Sequence, residues 1–393
     1  MRKFMQAKNS GFIATPFMLN RFSGTHRGAP LLFLFLSLTL LSGCAVWKPL
    51  PRKNVLPVMP LPEIYQTYYD YPAGDLAGKV VREEEHKSYI LKRYEIPLYL
   101  PAELISKAPE ILKKEVEEIE KKDQKKANDL KLLYLTRIDY YIPRNIKPGQ
   151  KRPAILISSI LGGTMVVDHF ARYYAGRGYI AALVHRKRLY WDETRDMTQV
   201  EDHIRTSIIR LRQVTDWLLV QPEVDTNRIG AFGISYGAIL HSILAAVDPR
   251  IHYHILSMPA GQLGDLIISC PDKALTKLVK KVHEQHGWSH EEIRTQLQRN
   301  IVTDPFYLAP YVPKQKVEVY VAAFDRVVGA KRSFRLWKAL GKPELKILPF
   351  GHYGGILVLP YLQSQSYRSF KKHLNHCEWN GLGCWMRALG RGH

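Results

Sequence analysis

The sequence predicts an α/β fold in which a mostly parallel sheet is flanked by helices. Short apolar runs, typical of strands buried on both faces, alternate with longer segments whose apolar residues recur at helical spacing. This alternation marks a main domain at residues 131–376. The chain has 393 residues, 46% of them hydrophobic and 24% charged, which is enough to bury one large core.

The individual strands and helices are predicted from the composition of each segment and from the spacing of its apolar residues. Apolar segments bounded by turn residues are the predicted strands: 132–142, 153–161, 179–185, 228–234, 252–257, 317–323 and 345–348. Segments compatible with helix are 169–178, 200–220, 238–247, 330–340 and 356–373. Because strands and helices alternate, we expect parallel strand pairs with helices on both faces of the sheet.

The alternation is interrupted at residues 259–310. Two helices are predicted here, at 273–282 and 289–300. A helical insertion after a sheet strand is a natural position for a lid over an active site. The alternative is a structural extension that supports the sheet, and we prefer the lid.

Residues 44–130 are predicted to form a tether and a helical extension ahead of the main domain. Residues 45–75 are rich in Pro and Tyr and show little periodicity, as expected for an extended segment. Farther along, Ile111, Leu112, Val116 and Ile119 recur at helical spacing on a charged background. We expect an amphipathic helix there, packed over the edge of the core.

Residues 1–43 have the features of a secretory signal peptide. Five basic residues and no acidic ones accompany an eleven-residue apolar run at 31–41, which is too short to span a bilayer comfortably. The run ends in Leu41-Ser-Gly-Cys44, which resembles the lipobox of bacterial lipoproteins. The resemblance implies cleavage before Cys44, palmitate or a similar lipid at that residue, and attachment to the cell envelope. Ala45 favours the outer membrane, on its periplasmic face. The alternatives are an uncleaved anchor and a chance cysteine.

Export also bears on the other cysteines. Disulfides persist in oxidising compartments, and Cys377 and Cys384 bracket a turn-rich segment in the C-terminal tail, residues 377–393. A disulfide between them is a prediction, and free thiols are the alternative.

The net charge of +21 raises the question of which partners the protein binds. The Lys and Arg residues of the chain are scattered rather than grouped with aromatic residues, so we predict no nucleic-acid partner. Attraction to an anionic envelope surface fits this pattern better.

The segment Gly233-Ile-Ser-Tyr-Gly237 contains a G-x-S-x-G pattern. An apolar stretch precedes it and a helix-compatible stretch follows it, which is the context of a nucleophile elbow. The residues beside such a serine must be small, because the backbone is strained and crowded there. Ser235 is therefore the candidate nucleophile.

With Asp225-Thr-Asn-Arg228 and Trp217-Leu-Leu, this segment resembles dienelactone hydrolases and the catalytic domains of prolyl-oligopeptidase-type enzymes. Both belong to the α/β-hydrolase superfamily. The resemblance covers residues 132–373 and is most specific at 216–238. It implies an α/β-hydrolase fold with its catalytic residues in the chain order Ser, Asp, His.

The sequence contains an acid and a histidine in the required order. Asp325 follows one late strand, and His352 follows the last strand between glycines. Open α/β sheets carry their sites at these strand ends. His352 would take the proton of Ser235, and Asp325 would hold the imidazole tautomer. The plain alternative for Asp325 is a surface ion pair with Arg326.

The oxyanion hole is predicted to use the backbone N–H of Tyr236, the residue after the nucleophile. The second donor is expected in the glycine-containing loop after strand 153–161, from Leu161 or Gly162. No cofactor is predicted. No metal is predicted either, because His283, His286 and His290 lack metal-ligand spacing and no C-x-x-C pair is present.

These features predict an envelope-anchored serine hydrolase that cleaves a small-molecule ester through an acyl-enzyme. A peptidase of prolyl-oligopeptidase type is one alternative, although residues 44–130 are too few for a propeller domain. The other alternative is a non-catalytic envelope lipoprotein that retains the fold as a binding module.

Overall fold

The computed structural model describes residues 59–105, 109–187, 191–356 and 358–375. The strands in chain order are β1 (Lys79–Glu85), β2 (Tyr89–Pro97), β3 (Leu135–Pro143), β4 (Arg152–Ser158), β5 (Ile180–Val184), β6 (Val224–Ile234), β7 (Tyr253–Ser257), β8 (Val317–Ala322) and β9 (Glu344–Leu348). They form a nine-stranded sheet in the order β1-β2-β3-β5-β4-β6-β7-β8-β9. Strands β1, β2, β3 and β5 are joined by antiparallel pairs, and all pairs from β5 to β9 are parallel. The predicted mostly parallel α/β sheet is confirmed.

Helices surround this sheet and fill its connections. They are α1 (Glu63–Thr67), α2 (Pro109–Glu120), α3 (Gln124–Lys131), α4 (Met165–Ala175), α5 (Thr198–Leu219), α6 (Tyr236–Val247), α7 (Leu263–Ser269), α8 (Lys273–His286), α9 (His290–Asn300), α10 (Pro305–Leu308), α11 (Ala330–Ala339) and α12 (Leu359–Leu374). None of them, within the described residues, has the length and apolar character that crossing a membrane requires.

The core lies on both faces of the sheet. Successive residues of a strand point to opposite faces. Leu156 and Ala231 belong to one buried cluster, together with apolar residues of α5 and α6. The next residue of each strand, Ile157 and Phe232, belongs to a second cluster with α4 and α12. The central strands are therefore buried on both sides, which explains their continuous apolar sequences.

Strands β1 and β2 differ from the sequence prediction. Residues 44–130 were expected to form a tether and helices, but the sheet begins at Lys79, ahead of the boundary predicted at residue 131. Most residues of β1 are charged and exposed, as in a protected edge strand. In β2, Arg93 pairs with Asp139 and Glu95 with Arg137 of the neighbouring strand. These charges obscure the alternation by which a strand is recognised in a sequence.

The described part of the segment predicted as a tether packs against α5. Tyr69 is fully buried, and Arg212 of α5 donates a hydrogen bond to its carbonyl at 2.6 Å. Arg205 donates to the carbonyl of Tyr68 at 2.7 Å. Residues 59–75 are therefore tied to the core, because their tyrosine rings bury apolar area that composition alone does not reveal.

The helical insertion between β7 and β8 shares the main core. Buried residues of α7, α8 and α9 belong to the same cluster as α5 and α6. Ser289 and Glu292 form a capping box at the start of α9. At the far end of the insertion, Asp304 accepts hydrogen bonds from the backbone N–H groups of Gln262 and Leu263. The two ends of the insertion are thereby held together.

Candidate active site

Ser235 lies in the sharp turn between β6 and α6. Its backbone has φ 54° and ψ −118°, outside the regions that non-glycine residues ordinarily adopt. Such a conformation costs on the order of 1–3 kcal/mol and persists only where the surroundings enforce it. The Ser235 N–H donates to the carbonyl of Ser257 at 2.9 Å, which ties the turn to the end of β7.

The two glycines of the motif are required by close backbone contacts. A Cβ on Gly233 would lie 2.4 Å from backbone atoms of Gly237. A Cβ on Gly237 would lie 3.0 Å from the carbonyl oxygen of Ser158 in β4. Strand, turn and helix therefore pack so closely around Ser235 that backbone atoms exclude a Cβ at Gly233, and a Cβ at Gly237 would require the backbone of β4 to shift.

Asp325 and His352 meet at the ends of β8 and β9. His352 Nδ1 is 2.8 Å from Asp325 Oδ2, and the two side chains are 11% and 1% exposed. The other carboxylate oxygen accepts the N–H groups of Val327 and Val328 at 2.8 and 3.0 Å. An ionised carboxylate can only accept, so Nδ1 carries the hydrogen and Nε2 is left as the base.

The environment of Asp325 keeps it ionised. Burial by itself would raise the pKa of this carboxyl group. The hydrogen bond and charge interaction with His352, together with the two backbone N–H groups, outweigh burial and lower the pKa. The carboxylate is thus suited to orient the imidazole over the physiological pH range.

The three predicted residues lie at the same edge of the sheet. Because β6, β7, β8 and β9 are parallel neighbours, their carboxyl ends lie at one edge. A Cβ on Gly351 would lie 3.1 Å from the carbonyl oxygen of Phe324, so the loops of Asp325 and His352 are in close contact. Within the described residues, no hydrogen bond joins Ser235 to His352. Such contacts often tighten only when substrate binds.

Leu161 and Gly162 form the tip of a tight turn after β4. Ile160 and Gly163 exchange backbone hydrogen bonds at 3.1 and 3.0 Å on either side of them. Arg186 donates to the carbonyl of Ile160 at 2.9 Å and also to that of Leu161. Because the C=O and N–H of a trans peptide point in opposite directions, the N–H groups of Leu161 and Gly162 point away from Arg186.

The third predicted donor is the N–H of Tyr236. It is the first residue of α6, where a helix leaves its N–H groups without helical acceptors. The positive end of the helix dipole adds to the attraction for negative charge at this point.

Several functional candidates near this site were not found from the sequence. Arg186 and Lys187 follow β5 after His185, and His203 and Arg210 lie on α5. The Tyr236 ring stacks with that of His203, with centroids 6.3 Å apart. The available signal was a pair of basic residues immediately after a buried parallel strand, at the edge that carries Ser235.

Other predicted residues have different positions. His283 Nδ1 lies 2.7 Å from the carbonyl of Trp288, and the ring of His286 stacks on Trp288 at 4.1 Å. These histidines thus contribute to the turn between α8 and α9. In the part of the chain that is described, no group of three or more His, Cys, Asp and Glu side chains is arranged to hold a metal ion. Cys44, Cys377 and Cys384 lie outside the described residues.

Comparison with known sequences gives distant relatives. No protein-family model matches the chain. Two uncharacterized proteins of Mycobacterium tuberculosis, from strains CDC 1551 / Oshkosh and H37Rv, are each 26% identical to it over 166 residues. These residues are 41% of this chain, and the chain spans only 35% of the length of either relative.

Solved structures resemble the chain over most of its length. An acetyl xylan esterase from Paenibacillus sp. R4 has a TM-score of 0.56 and 14% identity, with coverage of 79% of this chain and 92% of that one. Acetyl xylan esterase 1 from Thermoanaerobacterium sp. JW/SL YS485 has a TM-score of 0.52 and 16% identity, with coverage of 78% and 94%. At this identity the likeness concerns the fold, which is that of the α/β hydrolases, as predicted.

Proposed function

We propose that this chain is a serine hydrolase that cleaves carboxylic esters through an acyl-enzyme, with Ser235, His352 and Asp325 as its triad. The observation that carries the proposal is the strained Ser235 turn at the same sheet edge as the hydrogen-bonded pair of Asp325 and His352. A binding protein gains nothing from a serine held at this energetic cost.

In the proposed reaction, Ser235 Oγ attacks the ester carbonyl carbon while His352 Nε2 accepts the hydroxyl proton. The carbonyl oxygen becomes negatively charged, and the N–H groups of Tyr236 and of Leu161 or Gly162 stabilise it. Asp325 stabilises the imidazolium that forms. His352 then gives the proton to the leaving alkoxide, and the alcohol departs with the C–O bond broken.

The acyl-enzyme is resolved by water in the same manner. His352 takes a proton from the water, the hydroxide adds to the acyl carbon, and Ser235 leaves after recovering the proton from His352. The products are the carboxylic acid and the original enzyme. Each step needs only groups of this chain and one water molecule.

A fluorophosphonate probe tests this proposal. We expect wild-type protein to be labelled and Ser235→Ala to remain unlabelled, because the probe reacts with an activated serine hydroxyl. Ser88→Ala, which alters an exposed serine between β1 and β2, is the control and should be labelled as wild type. Unlabelled wild type, or labelling that persists in Ser235→Ala, would contradict the proposal and favour the non-catalytic alternative. For labelled protein, rates on p-nitrophenyl esters and matched peptide anilides distinguish an esterase from a peptidase.

We further propose that the chain is anchored in the cell envelope through lipid at Cys44. The support is the signal-like segment 1–43 and the Leu-Ser-Gly-Cys sequence that ends at this cysteine. The catalytic site would then act on esters outside the cytoplasm.

A further inference from the structure

Arg186 contacts two consecutive peptide groups of the turn after β4. Its Nε donates to the carbonyl of Ile160 at 2.9 Å, and its Nη2 donates to the carbonyl of Leu161. A guanidinium group presents its N–H donors in a rigid planar fork, so both carbonyl groups are held in one fixed arrangement. Arg186 therefore sets the orientation of the peptides that carry the N–H groups of Leu161 and Gly162.

The turn is a hydrogen-bonded β-turn with Leu161 and Gly162 at its two central positions. Gly163 donates to the carbonyl of Ile160 at 3.0 Å, which closes the four residues of the turn. Neither central residue has its backbone in the left-handed region, whereas Gly163 has φ 109°. Types II, I′ and II′ each require a positive φ at a central position, which leaves type I for this turn.

A type I turn with glycine at its third position can convert to type II by rotating one peptide group. The two types differ in ψ of the second residue and in φ of the third, and hence in the orientation of the peptide between them. In this chain that peptide joins Leu161 to Gly162. Type II requires a positive φ at the third residue, which glycine adopts readily. The local sequence thus permits both orientations, and the hydrogen bond from Arg186 to the Leu161 carbonyl favours type I.

The turn begins at the same level of the sheet as the nucleophile. Strands β4 and β6 are parallel neighbours, with Ile157 paired to Phe232. Three residues later the two chains reach Ile160 and Ser235. A rotated peptide in the turn would exchange an N–H donor for a carbonyl oxygen beside the nucleophile. A carbonyl oxygen repels the negative charge that develops on the substrate oxygen, so only one orientation supports catalysis.

Arg186 is itself fixed relative to the turn by the buried residue Ser159. Ser159 Oγ accepts the backbone N–H of Arg186 at 3.0 Å and donates to the carbonyl of Val184 at 2.6 Å. The N–H of Ser159 donates to the same carbonyl at 3.2 Å. The end of β5 and the start of the loop after β4 are thus joined, which holds the guanidinium group against the turn.

We propose that Arg186 is a positioning residue of the hydrolase. It holds the turn at residues 160–163 in the type I form, and so directs the Gly162 N–H, rather than the Leu161 carbonyl, towards the oxyanion. The inference rests on the proposed function, because the orientation of this peptide affects a rate only if an oxyanion forms beside Ser235. The N–H groups of the turn point away from Arg186, so the guanidinium acts through the peptides and not on the substrate.

Hydrolysis of p-nitrophenyl acetate tests this role. We expect Arg186→Met to lower kcat by at least about tenfold and to change KM by less than about threefold, because an oxyanion donor acts on the transition state. Arg144→Met is the control, since Arg144 also donates to a backbone carbonyl, that of His86 at 2.6 Å, beside the β1–β2 hairpin. It should keep kcat near the wild-type value. Equal kcat in Arg186→Met and wild type would overturn the inference.

A second substitution separates the conformation of the turn from the charge of Arg186. Gly162→Ala makes a positive φ unfavourable, so it should favour type I without the guanidinium group. The added Cβ has room, because it would lie 3.7 Å from Ile160 Cδ1. We expect Gly162→Ala to raise kcat of Arg186→Met about tenfold and not to raise kcat of wild type, whose turn is already held. A slow Arg186→Met that Gly162→Ala does not accelerate would overturn the inference, since a methyl group cannot replace a charge.

Arg186→Lys repeats the test in a variant that keeps the charge, and it carries the test if circular dichroism shows that Arg186→Met does not fold. An ammonium group lacks the planar fork that holds two carbonyl groups at once, so kcat should still fall about fivefold. Gly162→Ala should again raise it. A wild-type kcat in Arg186→Lys would show that the charge alone is sufficient, and would overturn the inference.

A crystal structure of Arg186→Met examines the turn independently of catalysis. We expect φ of Gly162 to be about +80°, as in a type II turn, with the Leu161 carbonyl rotated to the opposite side. A turn that remains type I overturns the inference, whatever the activity of wild type. If wild type fails to react with fluorophosphonate while the peptide rotates in the variant, the proposed function fails and the control of the turn by Arg186 stands.

Discussion

Ser235 illustrates how single residues create the site. Its φ of 54° would be unremarkable for glycine and is unfavourable for serine. Backbone atoms lie so close to Gly233 and Gly237 that the chain around Ser235 has no room for a wider turn. The packing of β6 and α6 offsets the free-energy cost of this conformation. It thereby fixes the Ser235 hydroxyl at the edge of the sheet.

Asp325 is the residue whose role is most sharply testable. With Asn at this position, the side-chain amide can donate to the imidazole, which favours the wrong tautomer of His352. We expect Asp325→Asn to lower kcat by about 10⁴ while leaving the fold intact, since the backbone N–H groups still find an acceptor. Ester hydrolysis and circular dichroism check both parts.

Asp265→Asn is a suitable control for Asp325→Asn, because Asp265 pairs with Arg294 within the insertion. It should leave kcat near the wild-type value. A full rate in Asp325→Asn, with unchanged secondary structure, would remove Asp325 from the proposed triad.

At the scale of elements, a charged network joins strands where the sheet changes from antiparallel to parallel pairing. Asp139 of β3 accepts hydrogen bonds from Arg93 of β2 at 2.5 and 2.9 Å, and lies 2.8 Å from His185 Nε2. Burial alone would raise the pKa of Asp139, but His185 and Arg93 lower it well below its usual range. The network connects the β1–β2 hairpin to the parallel part of the sheet.

This network predicts a pH-dependent loss of stability. Asp139→Asn should reduce the free energy of unfolding by about 3 kcal/mol at pH 7, because two basic groups lose their buried partner. Because the pKa of Asp139 is lower in the folded than in the unfolded state, its carboxylate stabilises the fold fully above the unfolded-state pKa of about 3.9. This stabilisation is lost as the pH falls through the folded-state pKa. The difference between variant and wild type should therefore shrink towards acid pH.

Urea denaturation at pH 7 and at several lower pH values measures this difference. Glu83→Gln, in an exposed ion pair with Lys92, is the control and should change the free energy by less than about 1 kcal/mol. A loss for Asp139→Asn that is negligible at pH 7, or that does not diminish in acid, would contradict the assignment.

The strands differ in how well the sequence predicted them. Every predicted strand of the main domain has a counterpart among β3 to β9, because buried strands have continuous apolar sequences. Strands β1 and β2 were missed, since their charged residues find partners on other strands or in solvent. Which residues pair across two strands depends on the register of those strands, and the sequence of one strand alone does not encode it.

At the scale of the whole molecule, the proposed location in the cell envelope depends on Cys44. We expect Cys44→Ser to move the protein from the membrane fraction to the soluble fraction, because a hydroxyl cannot accept the thioether-linked lipid. Labelled palmitate should be incorporated by wild type and not by the variant. Cys270→Ser, which alters a buried cysteine of the main domain, is the control and should retain both label and membrane association. Wild-type protein that lacks label would contradict lipid anchoring.

The sequence by itself determined the α/β fold class and selected Ser235, Asp325 and His352 as candidates. A sequence reveals these features because they depend on residues that are close together in the chain or on their order along it. They are the spacing of apolar residues, the residues that form turns, and the chain order of candidate residues at strand ends. Tertiary structure decided which charged side chains have a partner of opposite charge. Arg93 and Lys187 look alike in a sequence. Arg93 forms an ion pair with Asp139 of the neighbouring strand, whereas Lys187 lies near the positive charges of Arg210 and Arg195. The electrostatic energy of a charge depends on distances in space, which only the folded chain sets.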